Sequence, residues 1–308
     1  MSSDAPPPLG ERMLGLAEPA MLMAWAMRHY IRVCGEAVFK NGQVLAPIFQ
    51  TSELRDKAFG QFWVEFTSTP SQPTTPPVTV SGEDEFNPTN NRNSSVLIPP
   101  LLKTASGIVL DIGPGTGTQM PLLRSPAIEK IYGCEPCHGL HDELRAKASS
   151  EGLASKYHIL GCGAAASGLV PALRETKTGV TAAYDEDAKN GIFDTILCVR
   201  VLCSVPEMEK TVGDLYGLLK PGGKLLITEH VVNPWRSAKG SLLARVVQGI
   251  YMFFGWSFFI GDCCLDRDTE GALRRAADCD GGWESVDIQQ DFAWSAMTYI
   301  SGTLVKKA

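Results

Sequence analysis

Short runs of aliphatic and β-branched residues alternate with stretches of helical periodicity from residue 97 to the end of the chain. Such runs, each followed by a glycine-rich or polar loop, predict parallel strands joined by crossover helices. The predicted strands cover residues 108–112, 130–134, 157–160, 193–199 and 224–229, and two later pieces, 283–289 and 296–305, can pair as an antiparallel edge. The pattern therefore predicts an α/β fold with a doubly wound, mostly parallel seven-stranded sheet.

The pattern before residue 97 is different. Apolar residues at helical spacing, among them Met21 and Trp25, predict a helix followed by a looser stretch. Aromatic residues then recur on one face of a second predicted helix, which either packs on the core or lines a ligand pocket. Further on, Ser, Thr, Pro and Asn dominate without periodicity. We therefore predict an N-terminal helical extension or cap over residues 1–66, a linker or surface loop over 67–96 and the α/β domain over 97–308.

The most apolar stretch of the chain lies at residues 246–260. Its fifteen residues include Gln248, and they are fewer than the roughly 20 that a membrane-spanning helix needs. Two compatible interpretations stay open. Residues 235–262 can form an apolar cap over an acceptor site, or an interfacial helix that makes peripheral contact with a membrane.

Charge and cysteine content narrow the class of protein. The chain has 28 basic and 34 acidic residues and a net charge of −6, so we do not expect a nucleic-acid partner. Nine cysteines, scattered singly in apolar runs, are typical of buried thiols in a reducing compartment. The first fifteen residues lack the apolar core of a secretory signal. We expect a cytoplasmic protein, with peripheral attachment to an intracellular membrane as the alternative.

A metal centre is not predicted. Cys134 and Cys137 have the spacing of a metal or redox pair, but no second ligand pair with zinc spacing accompanies them.

The segment 109–117, VLDIGPGTG, is a hydrophobic strand that runs into glycines at Gly113, Gly115 and Gly117. Glycine allows a sharp backbone turn and the close approach of a ligand. Glu135, which ends the second predicted strand, follows the first glycine by 135 − 113 = 22 positions. An acid at this spacing can hold both hydroxyls of a ribose. The segment therefore predicts a nucleoside site, with a purely structural turn as the alternative.

Two residues distinguish between cofactors. A dinucleotide fold requires a third glycine at the sixth position of its motif, where this chain has Thr118. Asp111 places negative charge beside the loop, which repels a diphosphate but suits a ligand with an ammonium and a sulfonium group. These residues favour S-adenosylmethionine.

With these residues in view, the chain resembles the class I S-adenosylmethionine-dependent methyltransferases, which have a Rossmann-like fold. The resemblance covers roughly residues 97–306 and includes the glycine motif, Glu135-Pro136 and the segment LLKPGG at 218–223. The segments 201–205, 229–231 and 261–267 more narrowly resemble the eukaryotic methyltransferase-like group that includes alkyl thiol methyltransferases.

The resemblance implies a role for several residues in the cofactor site. Asp111 and the loop from Gly113 to Thr118 would face the methionine part of S-adenosylmethionine. Glu135 would hold the ribose, and Pro136 would border the adenine.

Two further segments complete the implied cofactor site. After the third strand the family often has an acid near the adenine amino group, whereas this chain has Gly163 and Ala164, whose backbone groups would have to replace it. The carbonyl of Arg200, at the end of the fourth strand, would lie near the methionine ammonium.

Methyl transfer from a sulfonium is an in-line displacement, so positioning and exclusion of water can account for much of the rate. His230 follows the fifth strand and is a candidate proton acceptor, with a structural histidine as the alternative. Asp262 is the second catalytic candidate, with helix capping or loop hydrogen bonding as its alternative.

We therefore expect an enzyme that methylates a thiol or hydroxyl of an apolar small molecule, as in secondary metabolism or detoxification. An NAD-dependent oxidoreductase is the alternative enzyme class. A domain that binds S-adenosylmethionine only as a scaffold is the non-enzymatic alternative.

Overall fold

The computed structural model describes residues 7–68, 94–185 and 190–308. Its strands are β1 (Gly107–Ile112), β2 (Ile128–Cys134), β3 (Tyr157–Leu160), β4 (Phe193–Val199), β5 (Leu219–Val231), β6 (Ser285–Asp291) and β7 (Thr298–Val305). They form one seven-stranded sheet in the order β3-β2-β1-β4-β5-β7-β6. Strands β1 to β5 are parallel, and β7 lies antiparallel between β5 and β6. This topology confirms the predicted doubly wound, mostly parallel sheet.

Helices cover both faces of the sheet. After the N-terminal region they are α4 (Ile98–Leu102), α5 (His141–Ser150), α6 (Ala166–Glu175), α7 (Met208–Leu218), α8 (Leu242–Phe253), α9 (Trp256–Phe259) and α10 (Thr269–Arg275). Successive residues of β1 point to opposite faces: Val109 packs with residues of α4 and α5, and Leu110 with residues of α6, α7 and α10. Both faces of the strand are therefore buried, which explains why its sequence is apolar apart from Asp111.

The N-terminal region contains α1 (Leu9–Gly35), α2 (Ala46–Phe49) and α3 (Thr51–Ser68), with a π-helical turn at Glu36–Lys40 after α1. Helices α1 and α3 pack together, with Trp25 edge-on to Phe62 at 5.8 Å and its indole nitrogen donating to Glu65. This confirms the predicted N-terminal helical extension. Most of the predicted linker, residues 69–93, lies outside the described residues. Of its remaining residues, Thr67 and Ser68 end α3, and Ser94–Leu97 forms a 3-10 turn.

Two elements differ most from their sequence-based boundaries, while β2, β6 and β7 differ by two residues at one end or both. Strand β5 begins at Leu219 and not at residue 224, because Leu219 pairs with Phe193 and the N–H of Gly222 donates to the carbonyl of Lys306, just after β7. The apolar stretch 242–260 forms two helices, since Gly255 adopts a φ of 92° between α8 and α9. None of the helices in the described residues has both the length and the hydropathy that crossing a bilayer requires.

Candidate functional site

The loop after β1 is a tight turn built by glycine. Gly113, Gly115 and Gly117 have φ values of 59°, 59° and 79°, in the left-handed region that side chains disfavour. A Cβ on Gly113 would lie 2.5 Å from the Cγ2 of Val201, so the residue also lacks space for a side chain. Both the conformation and the close packing explain why this turn requires glycine.

Glu135 fixes the same turn from the end of β2. One carboxylate oxygen, Oε2, accepts from the N–H of Gly115 at 2.9 Å, and Oε1 accepts from the N–H of Cys137 at 2.9 Å. The side chain is 5% exposed, and burial raises its pKa against the opposing effect of these two hydrogen bonds and of His141. Each oxygen keeps a second lone pair, so the carboxylate can still accept hydrogen bonds from a diol.

Asp111 lies beneath the turn, in β1. Its carboxylate accepts from the hydroxyl of Tyr157 at 2.8 Å. Burial, together with the negative charge of Glu135, raises the pKa of Asp111 to about 7, against the opposing effect of the Tyr157 hydrogen bond. A cation bound at this turn would favour the ionised carboxylate.

Helix α3, from the N-terminal region, also covers the glycine turn. A Cβ on Gly115 would lie 2.7 Å from the Nε1 of Trp63, so the indole ring is in close contact with the turn. One turn later in the helix, Thr67 accepts a hydrogen bond from the hydroxyl of Thr116 at 3.1 Å. The N-terminal extension is thus part of the site.

A cleft of about 700 Å³ lies between α3 and the turn that follows β2. Its lining includes Asp56, Gln61, Val64, Pro136, Cys137 and His138. Pro136, which was predicted to border the adenine, therefore faces an open volume next to Glu135.

The remaining predicted cofactor residues lie around this turn and the neighbouring strand ends. Thr118 is exposed and its hydroxyl accepts from the side chain of Gln119. Gly163 has open space at its Cβ position. The side chain of Ala164 packs in the core, so only the backbone groups of Ala164 are available to a ligand. Neither of these two residues lines the cleft beside Pro136.

The loop after β4 is held by a buried acid that sequence analysis did not select. Glu229, in β5, is fully buried and accepts hydrogen bonds from the N–H groups of Val201 and Leu202. Burial raises the pKa of Glu229 to about 7, although these bonds lower it. Arg200, which precedes Val201, has a φ of 58°, and its guanidinium donates hydrogen bonds to the hydroxyls of Ser94 and Ser95.

The two predicted catalytic residues have different surroundings. His230 is 4% exposed, and its Nε2 lies 3.1 Å from the Sγ of Cys263. The side chain of Asp262 is 58% exposed and accepts two hydrogen bonds from Arg55, at 2.8 and 2.9 Å. An ion pair with α3 thus accounts for the position of Asp262. Proton transfer by either residue stays a prediction.

Besides Glu229, sequence analysis missed three contributors to this region. Trp63 was assigned only to an aromatic helix face, and its spacing does not identify the turn as its partner. Cys203 and Cys263, whose sulfur atoms cluster with a ring nitrogen of His230, come from separate loops. The one available signal was their position in the segments that resemble known methyltransferases.

Comparison of the sequence with known proteins assigns the chain to a protein family. The model of a family described as a methyltransferase domain matches residues 90–259, which are 170 of the 308 residues. Human thiol S-methyltransferase TMT1B is 33% identical over 87 residues, and human thiol S-methyltransferase TMT1A is 29% identical over 91 residues. These segments cover 28% and 29% of this chain, and the chain spans about a third of the length of each relative, 33% and 34%.

A similarity to solved structures was also found. An O-methyltransferase family protein from Burkholderia thailandensis superposes with a TM-score of 0.48 at 13% identity, covering 96% of this chain and 72% of that one. The segment that matches the family model contains the glycine turn, Glu135 and the strands from β1 to β5. Because this segment is more than half of the sequence, the chain belongs to the methyltransferase domain family.

Proposed function

We propose that this protein is an S-adenosylmethionine-dependent methyltransferase that methylates a thiol of an apolar small molecule. The proposal rests on the glycine turn between two buried carboxylates. Glu135 bonds to the N–H of Gly115, and Asp111 lies in the strand that leads into the turn. A nucleoside with a diol on one side and cationic groups on the other matches both acids.

The same charges argue against a dinucleotide. Asp111 is 6% exposed, so its charge, when it is ionised, acts in a region of low dielectric, where it would repel a pyrophosphate. The oxidoreductase alternative therefore has no support from this site.

The residues of the chain can accelerate methyl transfer by positioning and by excluding water. S-adenosylmethionine supplies the electrophilic methyl group when it is bound. Glu135 would fix the ribose, and Asp111 would orient the cationic end. Trp63, on the opposite side of the turn, would keep water away from that end. None of these roles needs a general base if the acceptor reacts as a thiolate.

A thiol acceptor is supported by chemistry and by the relatives. A free thiol has a pKa near 8.5, so a modest fraction is thiolate at neutral pH, whereas a hydroxyl needs more help. The two human relatives are both called thiol S-methyltransferases. Helices α1, α8 and α9 contribute apolar side chains next to the end of β5, among them Leu22, Met23, Tyr251 and Met252. This environment suits an apolar acceptor.

The proposal is tested by incubating the protein with labelled S-adenosylmethionine and matched thiols, phenols and alcohols of equal carbon skeleton. We expect label in the thioether product. Glu135→Gln should weaken cofactor binding roughly ten- to hundredfold, because hydrogen bonds to a charged acceptor contribute about 1.5–3 kcal/mol. Glu129→Gln, an exposed position on the same strand, is the control. Unchanged binding in Glu135→Gln, or label only in an oxygen product, would contradict the proposal.

We also propose peripheral contact with a membrane through α8. The helix has its polar side inward: Gln248 is fully buried, accepts from the N–H of Asn233 and donates to the carbonyls of Val231 and Ala296. Its outer side is apolar, with exposed fractions of 59% for Leu242, 51% for Val246, 47% for Ile250, 83% for Phe253 and 64% for the adjoining Phe254. Arg236 and Lys239 precede this surface and suit anionic lipid headgroups, whereas Arg245, on the helix, pairs with Asp266 at 3.9 Å.

A further inference from the structure

Three side chains that are far apart in sequence converge at the carboxyl edge of the sheet. Cys203 lies in the loop after β4, His230 in β5, and Cys263 in the loop after α9. The ligand atoms of the three residues all lie within 4.8 Å of one another. Their exposed fractions are 3%, 4% and 4%, so the cluster is enclosed by protein.

The chemistry of this donor set is specific. Two thiols and an imidazole are soft ligands, which favour zinc over the calcium or magnesium ions that prefer oxygen. The neighbouring acid, Glu229, is not counted in this donor set, because its carboxylate accepts hydrogen bonds from the N–H groups of Val201 and Leu202. A Cys2His set with a fourth position for water or substrate is an established zinc arrangement.

The surroundings of the cluster also suit a metal-bound thiolate. The indole N–H of Trp256 donates to the Sγ of Cys263 at 3.1 Å, and such outer hydrogen bonds orient metal ligands and stabilise their charge. The other ring nitrogen of His230, Nδ1, is buried and has no hydrogen-bond partner within the described residues. Nε2 lies 3.1 Å from the Sγ of Cys263, and the Sγ of Cys203 belongs to the same cluster, whose ligand atoms lie within 4.8 Å of one another.

We propose that Cys203, His230 and Cys263 bind one zinc ion, whose fourth position takes water or a thiolate. On binding, the two thiols lose their protons to solvent and the neutral imidazole donates its lone pair, so zinc uptake releases two protons per ion. The ion would join the ends of β4 and β5 to the loop that follows α9, and thereby fix the cap on the sheet. A ring nitrogen that holds zinc cannot act as the proton acceptor, so this role excludes catalysis by His230 through Nε2.

The test measures metal directly and does not depend on methyl transfer. Protein purified without chelators and dialysed against zinc should contain about one zinc ion per chain by elemental analysis. Cobalt(II) in place of zinc should give thiolate-to-cobalt charge-transfer absorption and the d–d bands of a tetrahedral site. The cobalt measurement uses the unaltered chain, so it decides the question even if a ligand variant does not fold.

Variants then assign the ligands. Cys203→Ser, His230→Gln and Cys263→Ser should each reduce bound zinc to about a tenth or less, as loss of one of three ligands requires. Cys264→Ser is the matched control, because its Sγ instead contacts Ser257 and the carbonyl of Asp262. Circular dichroism checks that each variant is folded.

Two results would overturn the proposal. The first is that the reduced wild-type protein takes up neither zinc nor cobalt. The same conclusion holds if, in addition, mass spectrometry finds Cys203 and Cys263 joined as a disulfide after exposure to air. The second is a loss of metal in Cys264→Ser as large as that in Cys263→Ser.

Discussion

Asp111 is a buried acid whose pKa, at about 7, lies close to neutral pH. A cationic ligand favours the ionised form, so below pH 7 the site must lose a proton before it binds such a ligand. We therefore expect the affinity for S-adenosylmethionine to be constant above about pH 7 and to fall by up to tenfold per pH unit below it.

Calorimetric titration with S-adenosylmethionine across this pH range measures the effect. Asp111→Asn should bind more weakly at neutral pH and should lose most of the pH dependence, since the asparagine does not titrate. An affinity that rises as the pH falls would mean that the cation is not next to Asp111.

Trp63 gives a second prediction at the residue scale. Its indole ring contacts Gly115, so a ligand at the glycine turn must displace it or pack against it. We expect titration with S-adenosylmethionine to change the tryptophan fluorescence and Trp63→Phe to remove most of that change. Trp283→Phe is the control, because Trp283 packs against Tyr216 at 4.9 Å, in the core beneath α7 and α10. An identical signal in Trp63→Phe and wild type would place the ligand elsewhere.

Helix α3 is the element that joins the N-terminal extension to the site. The Arg55 guanidinium bonds to Asp262, and the ring of Phe59 lies against Gly261, so the helix is attached to the loop after α9 as well as to the glycine turn. Because Asp262 is largely exposed, we expect its ion pair to contribute about 1 kcal/mol or less.

Loosening this contact should speed release of the cofactor. We predict that Arg55→Ala and Asp262→Ala each increase the dissociation rate by up to about fivefold, and that the double variant adds little to either single variant. Stopped-flow displacement measures the rate. Arg274→Ala removes a surface ion pair with Glu270 within α10 and should have no effect. Additive effects of the two substitutions would show that they do not act through one shared contact.

At the scale of the whole molecule, the proposed membrane contact through the exposed apolar side of α8 can be tested with vesicles. We expect it to sediment with vesicles of phosphatidylcholine and phosphatidylserine, and less with phosphatidylcholine alone. Phe253→Asp should lower the partition coefficient about tenfold or more, because a charge would enter the lipid. Ser285→Asp adds the same charge to the edge strand β6, and it should bind like wild type. Equal binding of both variants would exclude α8 as the contact.

The sequence determined the sheet and the glycine turn. The central strands β1 and β4 are mostly apolar runs, and burial of both faces accounts for that pattern. The three glycines were identified correctly as a sharp turn, because the left-handed conformation is a local requirement that only glycine meets easily. The position of Glu135 beside this turn follows from the parallel pairing of β1 with β2. The pattern predicted parallel strands without their order.

Only the tertiary structure decided what meets across the chain. The contact of Trp63 with the turn and the convergence of Cys203, His230 and Cys263 depend on how distant segments fold together, and no local periodicity encodes them. Gln248 shows the same limit, because the sequence indicates a polar interruption, while the fold makes it the buried anchor of α8. Backbone propensity and hydrophobic period act over a few residues, whereas a site is formed by side chains that only the path of the chain brings together.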